Sequence, residues 1–497
     1  MRTLVRYIAD LTDRYYMVMV LSVASVLFVT TAIFSEGFHH PDEHFQIIEF
    51  ARARMGEASP SAIPWEYREQ IRPTLQPVMS MFLLKTFRCL GMDNPFTQAM
   101  MLRLVMAIAS LIVIYSFGRA LSPQIKASHR KILLIVSYTL WFIPAVNVRF
   151  SSETLASLFF MLSLSFLCDK EILDKRHSLL FGMLAGLSFE CRYQMAFAYV
   201  GILLWMLFVR KYHYRNILYI VSSVMVVLLV CTMIDCWFYG NLVIAPYNYF
   251  KANILDGIAD RFGISPFHEY LYLILMRPTL PIGVVLCISI VYSLINHWRS
   301  PVVWAFFFFL LGHSLVGHKE LRFLFPVINL FPVFLVWGYD LFEKIINRRL
   351  FRLITVTLCL INYTGLALTT FKPAAYGKTS MMRFLDSHYG DTGKTVYVTQ
   401  QSNPFNVSGL ETDFYKRKKY KMSDYVGNIE IPSLYKNVSL ENCAVVFAER
   451  DILRRECLMR KGFKEIKRSI PAWIEKLNVF YAVYDPQWTL IVYEKAS

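Results

Sequence analysis

Charge is scarce in this chain. Only 18% of its 497 residues are Asp, Glu, Lys or Arg, against 56% hydrophobic and 15% aromatic, and mean hydropathy is +0.40. A water-soluble enzyme of this length needs more polar surface, so the shortage argues for a polytopic membrane protein. Acidic residues are the scarcer sign, 36 against 52 basic ones, giving a formal net charge of +16. The basic residues gather in short loops between apolar runs, where they set orientation, so nucleic acid is not an expected partner. The nine cysteines contain no C-x-x-C pair, which indicates no zinc framework; no metal and no cofactor are expected. No internal repeat is visible and the charges sit at the ends of spans, which speaks against a lipid or sugar transporter or flippase. No small-residue cleavage site follows the first apolar run; Glu36 and the His39-His40 pair stand there instead, so the run reads as a retained span.

Eleven apolar runs are present, at 17–34, 101–118, 132–148, 154–167, 179–189, 195–209, 217–238, 280–295, 302–316, 323–342 and 353–370. They predict an all-α membrane protein of about eleven transmembrane helices. The stretch 75–90 carries Gln76, Pro77, Lys85 and Arg88 and reads as an amphipathic surface helix inside a large loop, 35–100. With the N-terminus cytosolic, the cytosolic loops are brief and basic, containing for example Arg130 and Lys131, Lys170 and Arg176, Arg210 and Lys211, and Arg348 and Arg349. Counting 75–90 as a crossing would turn all of them outward. The opposite face then receives the large loop, the turns at 149–153, 190–194 and 317–322, the stretch 239–279 and everything after 370. The polar residues that need explaining fall on one side.

The chain divides on this reading into a membrane domain, 1–370, and a small α/β domain, 371–497, on the non-cytosolic side. In the latter, short apolar runs predict strands at 395–399, 444–447, 479–484 and 489–493, with a helix over 451–461. Sequons at Asn406 and Asn437 agree with a luminal location. Cys443 and Cys457 are either a disulfide in an oxidising compartment or two buried thiols. The basic run 416–421 is a solvated loop.

Two motifs stand out. His40-Pro41-Asp42-Glu43-His44 follows the first span. Two adjacent carboxylates beside a membrane span are costly unless they line a wet cavity or do chemistry. Pro41 restricts the chain before them, and neighbours on an irregular loop point apart, so one carboxylate can act as a general base while the other caps or pairs. The same His and acidic residues form a metal-ligand list, but consecutive residues rarely converge on one ion. His318-Lys319-Glu320-Leu321-Arg322 is the second motif: its donors suit a phosphate-bearing headgroup, or snorkel and pair among themselves. Arg149 with Glu153, and Glu190 with Arg192, read first as structural pairs, while Arg192-Tyr193-Gln194 is placed to reach a sugar or phosphate. Tyr247 and His268 belong to an aromatic stretch with hydrogen-bonding tips, and Asp235 is a carboxylate near a span end.

These motifs together, with Arg149-Phe150-Ser151-Ser152-Glu153, Asp235-x-x-Phe238-Tyr239-Gly240 and Ser265-Pro266-Phe267-His268, resemble glycosyltransferase family twenty-two. Its members are polyprenyl-phosphate-sugar-dependent mannosyltransferases of GPI-anchor and N-glycan assembly, with the GT-C fold. The likeness runs from about 35 to 326 and lies nearest the GPI-anchor enzymes. It departs at Leu321, where the family has an acidic residue or Arg, and around Arg149.

The resemblance implies an inverting transfer of mannose from dolichyl (polyprenyl) phosphate mannose to a lipid-linked glycan acceptor, at the luminal face of the endoplasmic reticulum. Asp42 would be the base and Glu43 its neighbour in orienting the acceptor. His318, Lys319, Arg322 and Arg192 would hold the donor phosphate. His40, Arg149, Glu153, Tyr193, Gln194, Asp235, Tyr247, His268 and Glu320 would line the substrate site. A bacterial relative with another polyprenyl carrier and an external active site is the alternative.

Overall fold

The computed structural model describes residues 2–169, 172–390, 394–416, 421–425 and 443–495. Lys170, Asn437 and most of the basic run after Lys416 lie outside them. The chain is mostly helical and divides into two compact units. One comprises 1–32, 69–78 and 103–370; the other comprises 33–68, 79–102 and 371–497.

The first unit is a helix bundle. Six helices among the described residues are long and apolar enough to cross a membrane: Arg14–Phe34, Pro95–Gln124, Ser152–Asp169, Tyr214–Tyr239, Leu321–Ile345 and Arg348–Phe371. A seventh span results if the bent pair Leu280–Asn296 and Pro301–Leu315, at 119° to each other, is one crossing. Several of the other apolar runs form shorter or broken helices. The run at 132–148 is one: its helix stops at Thr139, Leu140 turns extended (ψ 123°), and a short helix resumes at Ile143–Asn147 with Pro144 in its first turn. Proline suits a helix start and not an interior, so the break sits where the sequence puts Pro144.

Small residues set the close helix crossings of this unit. A Cβ on Gly182 would lie 2.4 Å from Ile220 O, and one on Gly186 would lie 2.9 Å from Val227 Cβ. Helices Lys175–Cys191 and Tyr214–Tyr239 therefore touch backbone to backbone, as tight packing in lipid requires. Nearer the functional turns, Asn147 and Asn329 exchange amide bonds of 2.9 and 3.0 Å, and Asn329 also donates to Ser157 Oγ. Buried amides are stable only when paired in this way. Leu321–Leu330 is a ten-residue 3₁₀ stretch with Pro326 inside, unusually long for that geometry.

The second unit joins the loop 33–68 to the tail. Its strands are β1 (Thr395–Thr399), β2 (Asn406–Val407), β3 (Leu410–Glu411), β4 (Lys421–Tyr425), β5 (Cys443–Ala448), β6 (Phe463–Arg468) and β7 (Leu490–Lys495). Five form one sheet, in the order β4-β1-β5-β7-β6, and β2 pairs with β3. The β1 pairings are parallel; β7 runs antiparallel to β5 and β6. Strict alternation splits β5. Ala444, Val446 and Ala448 pack with Met381, Leu385 and Tyr389 of helix Lys378–Tyr389, while Val445 and Phe447 pack with Leu458 and Phe463. Both faces are covered, which explains a strand that is apolar throughout.

The strand expected at 479–484 is absent. Ala472–Tyr481 is a helix behind Pro471, and its inward residues Ile474, Asn478 and Tyr481 follow helical spacing, leaving Val479 and Phe480 exposed. Cys443 and Cys457 are free thiols. The helix Leu75–Cys89 forms where an amphipathic one was expected. Near its end Arg88 makes a two-pronged ion pair with Glu57, at 2.6 and 2.7 Å, which holds the Glu57 carboxyl below its usual range.

Candidate functional site

In the helical unit, the His318–Arg322 turn is fixed by backbone bonds before its side chains act. Ser265 N–H donates to Gly317 O at 3.0 Å, and His318 Nδ1 lies 3.0 Å from Gly263 O. Lys319 is only 9% exposed. Its ammonium points to three carbonyls, Val316 at 2.7 Å, Ser265 at 3.0 Å and Gly317 at 3.4 Å. An ammonium has three N–H donors, so in this geometry Lys319 fastens the turn and lends it charge.

The remaining donors form a chain. His318 Nε2 is 2.8 Å from Glu320 Oε1, and Arg322 Nε donates to Glu320 Oε2 at 2.5 Å. Arg322 Nη1 then faces Glu153 Oε1 at 3.7 Å, and Arg192 Nη1 reaches the same oxygen at 2.8 Å. Both guanidinium groups flank the Phe323 ring, at 4.9 and 5.3 Å from its centroid. Glu153 sits in the first turn of Ser152–Asp169, where a helix favours negative charge. Arg192 follows the helix Lys175–Cys191 in extended conformation, which turns its side chain off the helical stripe. Arg149, Glu153 and Arg192 are all buried. Arg192, Lys319 and Arg322 gather three cations beside Glu153 and Glu320, and guanidinium groups so placed suit a phosphoryl oxygen.

The other expected binding residues separate into different settings. Gln194 Nε2 donates to Tyr249 OH at 2.5 Å, and the Tyr193 ring meets Tyr249 edge-on at 5.3 Å. Asp235 accepts from Thr74 N–H (2.8 Å) and Thr74 Oγ (2.6 Å) through one oxygen, tying down the start of Leu75–Cys89. Tyr247 and His268 are exposed. The sequence gives Tyr249 and Phe323 no role of their own; an aromatic beside a span carries no signal that distinguishes it from packing.

In the second unit, His40 caps the short helix Pro41–His44: its Nδ1 accepts from Asp42 N–H at 3.3 Å. The same nitrogen lies 3.4 Å from Asp42 Oδ1. Glu43 reaches back and accepts from His39 N–H at 2.7 Å, a reciprocal cap. The two acidic neighbours thus differ. Glu43 braces the loop backbone, and Asp42 stands beside an imidazole with a quarter of its side chain exposed. His44 turns inward to Glu49.

Among the described residues one mixed group of histidine and carboxylates lies within 4.8 Å, His129, Asp340 and Glu343. Lys126 Nζ is 2.8 Å from Asp340 Oδ2 and supplies the countercharge there.

The sequence matches the Alg9-like mannosyltransferase family over residues 16–401. It is 26% identical over 327 residues to mannosyltransferase APTG1 of Arabidopsis thaliana, covering 63% of this chain and 57% of that protein. It is 27% identical over 316 residues to GPI mannosyltransferase 3 of Yarrowia lipolytica, covering 62% and 60%. Against GPI alpha-1,2-mannosyltransferase 3 of Bos taurus the identity is 23% over 400 residues, 72% of each chain. The match therefore spans less than two thirds of the length of the first two relatives. In three dimensions the chain is similar to ArnT from Cupriavidus metallidurans bound to undecaprenyl phosphate, with TM-score 0.55, 11% identity and 96% and 97% of the two chains covered. The apo form of the same enzyme gives 0.52. The shared fold is that of GT-C glycosyltransferases.

Proposed function

This chain belongs to the Alg9-like mannosyltransferase family, and from that premise we propose that it is an inverting enzyme that moves mannose from a polyprenyl (dolichyl) phosphate to a lipid-linked glycan, a GPI-anchor precursor. It is a glycosyltransferase and a multi-pass membrane protein; donor, acceptor and a luminal active site in the endoplasmic reticulum are our reading. One observation supports it above the others. Two guanidinium groups, those of the buried Arg192 and the part-buried Arg322, converge on a single carboxylate oxygen of Glu153. Convergent arginines are a receptor for a phosphoryl oxygen, and Glu153 holds them apart from each other until one arrives.

In this mechanism Asp42 takes the proton of the acceptor hydroxyl as that oxygen attacks the anomeric carbon. The bond from carbon to phosphate oxygen breaks on the opposite face, inverting configuration. Charge grows on the departing lipid phosphate, and Arg192, Arg322 and His318 stabilise it more strongly than in the ground state. Lys319 supplies long-range positive charge while holding the turn. Tyr193 and Gln194, linked to Tyr249, are assigned to the sugar. Asp235, Tyr247, His268 and Arg149 are assigned to the walls, and His40, Glu43 and Glu320 to orienting the charged groups beside them.

The test is transfer of labelled mannose from synthetic polyprenyl phosphate mannose to mannosylated GPI-type lipid acceptors by purified protein in detergent. Wild-type protein is expected to transfer, and Asp42→Asn to lose about 10²–10⁴-fold in kcat while inserting and purifying normally. Wild-type turnover by Asp42→Asn would remove the base from this account. Transfer from a nucleotide sugar alone would replace the donor.

A further inference from the structure

A buried polar cluster in the second unit belongs to residues with no part in the chemistry above. His44 and Glu49 are 1% and 0% exposed, and His44 Nε2 lies 3.1 Å from Glu49 Oε1. Glu49 is fully used: its other oxygen accepts from Arg52 Nη1 at 2.7 Å, and Oε1 also accepts from the backbone N–H of Phe414 at 2.8 Å. The His44 ring is sandwiched between Phe38 and Tyr415, each 5.4 Å away. Phe45 meets it edge-on at 5.1 Å. A short distance along, Asp413 accepts from Ser59 N–H at 2.8 Å.

Helix geometry explains how the two side chains meet. His44 and Glu49 are five residues apart, which on an α-helix of 3.6 residues per turn puts them about 140° from each other around the axis. The chain avoids this by forming a π-helical turn over Phe45–Glu49, whose i→i+5 register stacks them. Such turns are rare and concentrate at functional sites. A buried carboxylate is tolerated only with a full set of donors, and this one takes them from the π turn, from Arg52 and from the tail.

We propose that His44, acting through Glu49, is a positioning residue for Asp42, and that the tail segment Asp413–Tyr415 is the wall that keeps this pair in place. The inference rests on the reading of Asp42 as base. Asp42 and His44 share the four-residue helix Pro41–His44, which is too short to hold its own direction. A displacement of about 1 Å at a reacting group costs on the order of 100-fold in rate. The tail is therefore part of the catalytic machinery, although it supplies no group to the reaction.

The experiment compares His44→Phe, Glu49→Ala, the double variant and Tyr415→Ala in the mannose-transfer assay, beside Asp42→Asn. His44→Phe keeps an aromatic ring between Phe38 and Tyr415 and deletes the bond to Glu49. We expect His44→Phe and Glu49→Ala each to lower kcat by about 10–100-fold, with KM for donor and acceptor within about twofold. The double variant is expected to be no worse than Glu49→Ala, because the two act as one unit. Tyr415→Ala, which removes one face of the ring sandwich, should lower kcat. If Glu49→Ala does not accumulate, His44→Phe decides alone, since it preserves volume and stacking. Wild-type kcat in His44→Phe with Asp42→Asn inactive overturns this inference and leaves the base reading intact, as do losses that multiply in the double variant. Wild-type kcat in Asp42→Asn overturns both.

Discussion

Glu153 Oε1 stands 2.8 Å from Arg192 Nη1, with both side chains less than a tenth exposed. This contact, completed by Arg322 at 3.7 Å, is where the family's charge chemistry becomes specific enough to predict from. Glu153→Gln keeps the shape and releases the guanidinium groups from a competing charge. It is expected to lower donor KM severalfold and to slow release of the lipid phosphate, read from steady-state and single-turnover rates. Glu153→Ala removes the carboxylate from between Arg192 and Arg322 and leaves Glu320, on the Arg322 side, as the nearby countercharge. Its expected cost is about 3–5 kcal/mol of stability, read as a lower thermal midpoint in detergent. A higher donor KM for Glu153→Gln would mean that the carboxylate touches substrate.

The two cations of the His318–Arg322 turn should behave differently. Lys319→Met breaks three bonds to backbone carbonyls, so the turn loosens and KM for donor and acceptor should suffer together. Arg322→Lys keeps the charge and loses the planar fork. Donor KM should rise by about tenfold, equivalent to about 1.4 kcal/mol, with acceptor KM unchanged. Titrating each substrate at saturating levels of the other separates the two cases.

Asp235 accepts twice from Thr74 through one oxygen, and an asparagine carbonyl can accept both bonds. Asp235→Asn is therefore expected to keep most activity, while Asp235→Ala strands a buried N–H and hydroxyl at a cost of about 1–3 kcal/mol. Loss of transfer in Asp235→Asn with an unchanged melting midpoint would instead place its charge at the sugar.

The tail carries a pH signature. Burial pushes the Lys378 ammonium down from 10.5 to about 8, and its Nζ donates to Asn406 O at 2.9 Å. Because the folded pKa is below the unfolded one, the unfolded chain holds more protons between about pH 8 and pH 10.5, so stability rises with pH across that window. Below pH 8 the burial penalty is felt in full. Proteolysis of the tail as a function of pH should show the rise in wild-type protein and lose it in Lys378→Met.

Much of this protein is written in one dimension. Apolar runs long enough for a bilayer, basic loops between them, and His-Pro-Asp-Glu and His-Lys-Glu-x-Arg at span ends depend only on composition and local spacing. So do β1 and β5, short apolar runs of strand length. The difference between Asp42 and Glu43 was half legible: neighbours on a capped turn must diverge, but which one would brace His39 N–H needed coordinates.

Other features depended on partners far along the chain. The helix over the expected strand at 479–484 was settled by packing, because an apolar run alone has no unique period. Glu153 meeting Arg192 and Arg322, and Glu49 taking an amide from Phe414, join segments separated by tens to hundreds of residues. A carboxylate in a sequence reveals that it needs donors; which ones it finds is decided by the fold, since burial makes each unsatisfied oxygen expensive and only the folded chain brings the donors within 3 Å.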